Sequence, residues 1–379
     1  MNDILPYEIL IVDDTPANLR LLSQILTEHG YKVRAVTSGA RALDSAQASP
    51  PSLILLDIRM PGLNGFDVCT RLKANLLTAD IPVIFISALD DVQDKVRAFH
   101  MGGVDYITKP FQIDEILART ETHLALRKMH QQLVEANRRY ERELEIAGRI
   151  QSSFLPRSIP TIPGWDIAAK LVPARETSGD FYDFIPLDDG KCAIVVADVV
   201  DKGAGAALFM ALSWSLIRTY IVSNPSDPAR AFELVNQRIL QDTYANQFVT
   251  VFLGVFNPND WTLTYVNAGH CPALYFRKNG SISQLKTIGI PLGLEDVSWN
   301  QEVIHIGKED LLLVYTDGVI EAQNPSGQLY QNDRLIKIVQ SCLDRNPSEI
   351  FDEILADIIF YIQKDHLEDD LAMVILKGC

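Results

Sequence analysis

Ile9-Leu10-Ile11-Val12-Asp13-Asp14 places four aliphatic residues in a row and ends them on two carboxylates. A short continuous apolar run of this kind reads as a strand buried on both faces, as in a parallel sheet. Four more runs repeat the theme: Lys32-Val33-Arg34-Ala35-Val36, Leu53-Ile54-Leu55-Leu56, Val83-Ile84-Phe85-Ile86 and Val104-Asp105-Tyr106-Ile107. Helix-length amphipathic stretches separate them, so residues 1–125 are predicted to form an α/β doubly wound, five-stranded parallel sheet. Ligands bind such sheets off the carboxyl ends of the strands. The residues that follow the runs are chemical: Asp13-Asp14, Asp57, Ser87 and Lys109-Pro110. Carboxylates on one rim repel one another unless a cation joins them, and hard oxygen ligands select Mg²⁺. A lysine and a hydroxyl beside them suit a phosphoryl group.

These residues, in this order, resemble the receiver domain of bacterial response regulators over essentially all of residues 6–125. The resemblance implies that Asp57 is the phosphoacceptor. Asp13, Asp14 and Asp57, with the backbone carbonyl of Arg59, would hold Mg²⁺. Ser87 and Lys109 would contact the acyl phosphate, Tyr106 would change rotamer, and the Lys109–Pro110 peptide would be cis. A cognate histidine kinase or phosphotransfer protein is the implied phosphoryl source.

The whole chain has 379 residues, 34 basic and 49 acidic, for a formal charge of −15. That length predicts two or three domains. A hydrophobic share of 47% with 22% charged residues excludes wholesale disorder. The acid excess excludes a nucleic-acid binder, which needs a basic face. No stretch approaches about 18 uncharged apolar residues, and Met1-Asn2-Asp3-Ile4 lacks a basic n-region, so neither membrane span nor signal peptide is expected. Five scattered cysteines without a CxxC fit reduced thiols and a cytoplasmic protein.

The charge is uneven: residues 1–125 sum to −5, residues 126–155 to +2 and the remainder to −12. The middle segment has no proline and sets Leu126, Leu133, Tyr140, Ala147 and Phe154 at a seven-residue period, with Met129, Ala136 and Ile150 three residues after three of them. Glu143 fills one core slot of this imperfect heptad seam. A two-residue stripe needs a partner, so a parallel coiled-coil homodimer is expected, against a lone amphipathic helix packed on its own domain. Pro156 and Pro160 end the helix. The expected domains are therefore 1–125, a signalling-helix linker over 126–155, and 156–379.

The last segment has longer and more numerous strand-like runs: Asp166–Leu171, Lys191–Ala197, Thr250–Phe256, Thr262–Asn267, Ala273–Phe276, Leu311–Tyr315 and Leu371–Leu376. Helical stretches over Ala204–Val222 and Pro228–Tyr244 lie between them, which predicts an α+β domain with largely antiparallel sheets. Its chemistry sits in Thr177-Ser178-Gly179-Asp180, Asp198-Val199-Val200-Asp201-Lys202-Gly203, Thr316-Asp317-Gly318 and Glu368-Asp369-Asp370. Aspartates at the rims of buried strands are costly unless paired or metal-bound. Without a Cys/His cluster, Mg²⁺ or Mn²⁺ is favoured over Zn²⁺.

This segment resembles the PPM-type serine/threonine phosphatases, in their bacterial SpoIIE/RsbU-like branch. Leu155-Pro156, Gly205-Ala206-Ala207-Leu208, Asn267-Ala268-Gly269-His270-Cys271-Pro272 and Pro291-Leu292-Gly293 support it. The resemblance implies an αββα sandwich and a two-metal centre with Mn²⁺ or Mg²⁺. Asp198 would bridge both ions, Asp180 and the Val199 carbonyl would serve one, and Asp317 and Asp369 the other. Asp201 and Asp370 are possible extra ligands: Asp201 either holds a further ion or is simply solvated. Val200 stands where another branch has a histidine general acid, and His270 is either a substitute acid or a structural turn residue. The implied function is a two-component response regulator that dephosphorylates phosphoserine or phosphothreonine on a partner, a STAS-domain antagonist of an anti-sigma factor being the usual one. The alternative is a catalytically weak or inactive adaptor that binds a regulatory partner through the phosphatase-like domain.

Overall fold

The computed structural model describes residues 7–88, 92–243, 247–286, 289–364 and 366–379. Met1–Ile4, and Tyr244 at the expected end of one helix, lie outside them. Two compact units divide the chain, Met1–Arg138 and Arg139–Cys379.

In the first unit the elements alternate: β1 (Glu8–Val12), α1 (Pro16–Glu28), β2 (Lys32–Val36), α2 (Gly39–Ala48), β3 (Leu53–Asp57), α3 (Gly65–Lys73), β4 (Val83–Ala88), α4 (Val92–His100), β5 (Asp105–Lys109) and α5 (Ile113–Ser152). All strand pairs are parallel, in the order β2-β1-β3-β4-β5. The unbroken apolar runs are explained by the two faces of this sheet. Leu10 and Val12 pack with Ala42 and Val68 of α2 and α3. Ile9 and Ile11 pack with Leu22 of α1 and Leu124 of α5. The Lys109–Pro110 peptide is cis.

α5 differs from the expected linker at both ends. It begins at Ile113, thirteen residues before the predicted segment, and Arg127 is tied to the receiver-like unit by donating to the carbonyls of Pro51 (2.7 Å) and Ser52 (2.5 Å). It ends at Ser152, so Phe154 leaves the heptad and packs on Trp214, ring centroids 5.1 Å apart. The rest of the stripe stays uncovered within the chain: Leu126, Met129, Leu133, Tyr140 and Ile150 are each more than half exposed.

The second unit follows as β6 (Trp165–Val172), β7 (Phe181–Pro186), β8 (Cys192–Val199), α6 (Ala204–Ser223), α7 (Pro228–Asp242), β9 (Val249–Asn257), β10 (Thr262–Ala268), β11 (Ala273–Phe276), β12 (Ile282–Leu285), β13 (Glu302–His305), β14 (Leu311–Tyr315), α8 (Asp317–Ile320), α9 (Gln331–Ser341), α10 (Pro347–Ile362) and β15 (Leu371–Gly378). Two antiparallel sheets result, β13-β10-β9-β8-β7 and β12-β11-β14-β15-β6. Residues two apart share a face of a strand, and β8 uses both faces. Ala193, Val195 and Ala197 pack under α6 and α7, while Ile194 and Val196 meet the other sheet. Leu311, Leu313 and Tyr315 of β14 pack under α9 and α10. Three apolar layers thus make an αββα sandwich. β7, β12 and β13 were not marked by the sequence reading; β7 lay hidden behind the chemistry of the Asp180 motif.

α6 is long and apolar enough, by length and composition, to cross a membrane. Here it is a core helix: Phe209, Met210, Ile217 and Ile221 are buried in the layer against β7–β9. Its Arg218 grips the buried Asp183 of β7 with two hydrogen bonds of 2.9 and 3.0 Å. Removing one partner of such a pair strands a charge in the protein. Arg218→Leu is expected to lower the stability of the second unit by about 2 kcal/mol or more, read as a lower midpoint in denaturant unfolding. An unchanged midpoint would contradict the pairing.

Candidate active site

The first unit brings its candidates together at the strand ends. One carboxylate oxygen each from Asp13, Asp14 and Asp57 lies within 4.8 Å of the others. Asp13 and Asp57 are buried, whereas Asp14 is exposed. The Lys109 ammonium reaches both buried carboxylates, at 2.9 Å from Asp13 and 3.0 Å from Asp57. Burial raises the Asp57 carboxyl above the usual carboxylate range, and Lys109 opposes that rise. The backbone amide of Arg59 donates to Asp57. Ser87 is buried, and its hydroxyl finds no hydrogen-bond partner among the described residues. Tyr106 lies against Phe99 at 6.2 Å with the Arg119 guanidinium 5.5 Å from its ring. Asn18, which the sequence reading missed, donates to Asp13 at 2.9 Å and helps fix that carboxylate.

In the second unit, four aspartates arrive from four places. Asp180 precedes β7, Asp198 closes β8, Asp317 opens α8 directly after β14, and Asp369 precedes β15. Asp180 is 2% exposed, Asp198 and Asp317 are intermediate, and the side chain of Asp369 is 41% exposed, so the group runs from the interior to solvent. Burial first, and the Asp198 charge second, hold the Asp180 carboxyl well above its usual range. Burial and then Asp317 push Asp198 up to about 7. Burial, Glu321 and Asp369 push Asp317 up to about 6. These carboxylates feel one another, although among the described residues only the receiver-like triad gathers as tightly as 4.8 Å.

The site suits a hard divalent cation. Its donors are carboxylate oxygens, and Asp180 Oδ2 is buried with no hydrogen-bond partner among the described residues. One positive group is already drawn in: Lys202 Nζ lies 2.9 Å from Asp369 Oδ1 and donates to the Glu368 carbonyl at 2.9 Å. The motif Asp198-Val199-Val200-Asp201-Lys202-Gly203 does not by itself point to this contact of Lys202. A cavity of about 220 Å³ opens beside Asp369, lined among others by Lys202, Glu321, Ile362, Lys364 and Glu368.

The extra candidates separate. Asp201 is exposed, at a positive φ of 75°. Asp370 is buried, with both carboxylate oxygens accepting backbone amides. His270 is 2% exposed; its Nδ1 lies 2.8 Å from Thr250 Oγ1, and its backbone amide donates to Asn267 at 2.8 Å. Burial lowers its pKa to about 3. Burial thus favours the neutral ring, and these two hydrogen bonds tie His270 into its turn.

The end of α5 touches the loop that carries Asp180. Gln151 accepts the Ser178 amide at 2.9 Å and donates to the Ser178 carbonyl. Helix and loop meet at Gly148, where a Cβ would overlap the Glu176 carbonyl.

The family model for stage II sporulation protein E (SpoIIE) matches residues 188–378, half of the chain. The phosphoserine phosphatase RsbU of Bacillus subtilis is 31% identical over 253 residues, covering 65% of this chain and 73% of that protein. The chain belongs to the SpoIIE family. Its residues 9–121 match the response regulator receiver domain, so a receiver precedes a SpoIIE-like, PPM-type phosphatase domain. Protein IcfG of Synechocystis sp. is 32% identical over 259 residues, but the match spans only 41% of IcfG against 61% of this chain. The SiaA-PP2C domain of Pseudomonas aeruginosa shares the fold: TM-score 0.58, 18% identity, over 64% of this chain and 99% of that one.

The raised carboxyls set a sign for pH. Each holds its proton more tightly folded than unfolded, so protonation stabilises the fold. The contribution is complete below about pH 4, the unfolded carboxylate range, and is lost as pH rises through the folded values. Protein in EDTA is expected to lose several degrees of melting temperature in its second transition between about pH 5 and 8, and Mn²⁺ to restore them. A flat profile in EDTA would contradict the crowding of these charges.

Proposed function

We propose that the SpoIIE-like domain hydrolyses a phosphoserine or phosphothreonine on a partner protein, under control of phosphorylation at Asp57. The convergence of Asp180, Asp198, Asp317 and Asp369 on one cleft, with their proton affinities raised by burial and mutual repulsion, carries this reading. The four carboxylates, with the Val199 carbonyl, are the residues that would hold two Mn²⁺ or Mg²⁺ ions. Bound there, the ions would activate water and offset charge on the phosphoryl oxygens.

The chain's own groups divide the remaining work. Asp198, half-buried between the deeply buried Asp180 and the open Asp369, links the two halves of the cleft. Lys202, 40% exposed, is free to turn from Asp369 toward an incoming phosphate. With Val200 at the position after the Val199 carbonyl and His270 held neutral, the leaving hydroxyl takes its proton from water. The phosphoserine substrate class in RsbU's name extends to this chain as part of the proposal, with a STAS-domain antagonist of an anti-sigma factor as the partner class that the family resemblance implies.

At the receiver, Asp13, Asp14, Asp57 and the Arg59 carbonyl would hold Mg²⁺, and a histidine kinase or phosphotransfer protein would supply the phosphoryl group. Lys109 is placed to neutralise it and the buried Ser87 hydroxyl to donate a hydrogen bond to it. The uncovered stripe Leu126, Met129, Leu133 and Tyr140 fits the same stripe of a second copy, giving a homodimer through α5. The output contact is Gln151 on Ser178, two residues from Asp180. We place the domain limits at 1–125, 126–155 and 156–379, with α5 (Ile113–Ser152) running across the first of these boundaries.

Two assays test the proposal on the full chain. Asp198→Asn is expected to lose Mn²⁺-dependent hydrolysis of a generic phosphoester by at least about a hundredfold; retained activity would refute the site. An acyl-phosphate donor is expected to change turnover severalfold in the wild type and leave Asp57→Asn unaffected. Unchanged wild-type turnover, with Asp57 verified as phosphorylated, would refute the coupling.

A further inference from the structure

We propose that Asp370 is a positioning residue that fastens the loop carrying Asp180 to the strand that follows Asp369, so that one carboxylate sets the spacing between the two halves of the cleft. The proposal rests on the metal reading above and gives a task to a residue first taken as a possible extra ligand.

Asp370 is 7% exposed. Its Oδ1 accepts the Ala174 amide at 2.8 Å and its Oδ2 the Gly179 amide, also at 2.8 Å. Ala174 and Gly179 stand near the two ends of the connection between β6 and β7. One side chain therefore closes residues 174–179 into a ring and holds it at the head of β15. The ring is anchored behind by the antiparallel pair β15–β6, whose register begins at Leu371 and Val172. It is also backed by the Asp317 turn: a Cβ on Gly318 would overlap the Asp370 carbonyl. The segments bearing Asp180, Asp317 and Asp369 thus all meet at this residue.

The chemistry demands an aspartate. Two N–H donors need two acceptor oxygens, and asparagine offers one oxygen and an amide that would face an N–H. The neighbouring carboxylate is used differently: Asp369 is half-exposed and meets Lys202, whereas Asp370 is spent on backbone. Gln151 of α5 holds Ser178 from the other side. Asp370 is the fixed jaw on this loop, and Gln151 is the jaw that a regulatory helix can move.

The test is Mn²⁺ binding to the full chain, followed by calorimetry and by the electron paramagnetic resonance of free Mn²⁺. The wild type is expected to bind two ions in the cleft beyond the receiver site. Asp370→Asn is expected to weaken by about tenfold or more the ion that uses Asp180 and to leave the other near wild type, since a hydrogen bond to a charged group is worth about that much. Combining it with Gln151→Ala should give a non-additive loss. Wild-type affinity for both ions in Asp370→Asn overturns the proposal. Hydrogen exchange of the wild type decides independently of any variant's folding: the Ala174 and Gly179 amides are expected to be protected like strand amides, and exchange at open-loop rates overturns it. Asp180→Asn is the control. If it leaves both affinities intact, the metal reading has failed, and the amide protection alone then decides the role of Asp370.

Discussion

The fold of the second unit gathers like charges where burial withdraws them from water. Burial and mutual repulsion act together on Asp180, Asp198 and Asp317, and both favour the protonated form. The surrounding structure holds this arrangement against its cost. Three apolar layers fix the strands, and the aspartates sit where β7, β8, β14 and β15 begin or end. A cation resolves the conflict, and the nearest positive group, Lys202, already leans on Asp369. The receiver meets the same constraint on a smaller scale, with Lys109 bridging Asp13 and Asp57.

The proposed control grows out of this constraint. A cluster that coheres only with its ligands in place is sensitive to the loop that carries its most buried member. That loop has no regular structure of its own between β6 and β7, and side chains from outside it hold it: Asp370 on one side and Gln151 on the other. The end of α5 is thus in direct contact with the peptide two residues from Asp180. A shift of a helix by a fraction of a turn is enough to break hydrogen bonds of this length.

Much of the fold was legible because its cores follow simple periods. Ile9–Val12 reads as a strand buried on both faces and is one, because helices cover both sides of its sheet. The alternation in Cys192–Val199 separates a helix-facing from a sheet-facing set. The carboxylates were legible as well, since acidic residues beside glycine at strand ends have few structural uses. What sequence could not give was the direction of each side chain. Asp369 and Asp370 are identical neighbours, yet one meets Lys202 in the open and the other is turned to backbone amides. Phe154 kept the heptad period and lost the helix, because α5 ends at Ser152 and Trp214 offers its ring a better surface. Gln151 stood in a recognisable helix, but its partner is 27 residues away and carries no sequence signal.

Manganese anomalous scattering from crystals of the full chain grown with Mn²⁺ is the most direct measurement of the central claim. The account predicts two anomalous peaks in the second unit, between Asp180, Asp198, Asp317 and Asp369, with Asp370 bonded to Ala174 and Gly179 rather than to an ion. A cleft without manganese at saturating concentration, or one in which Asp180 makes no contact with an ion, would contradict it.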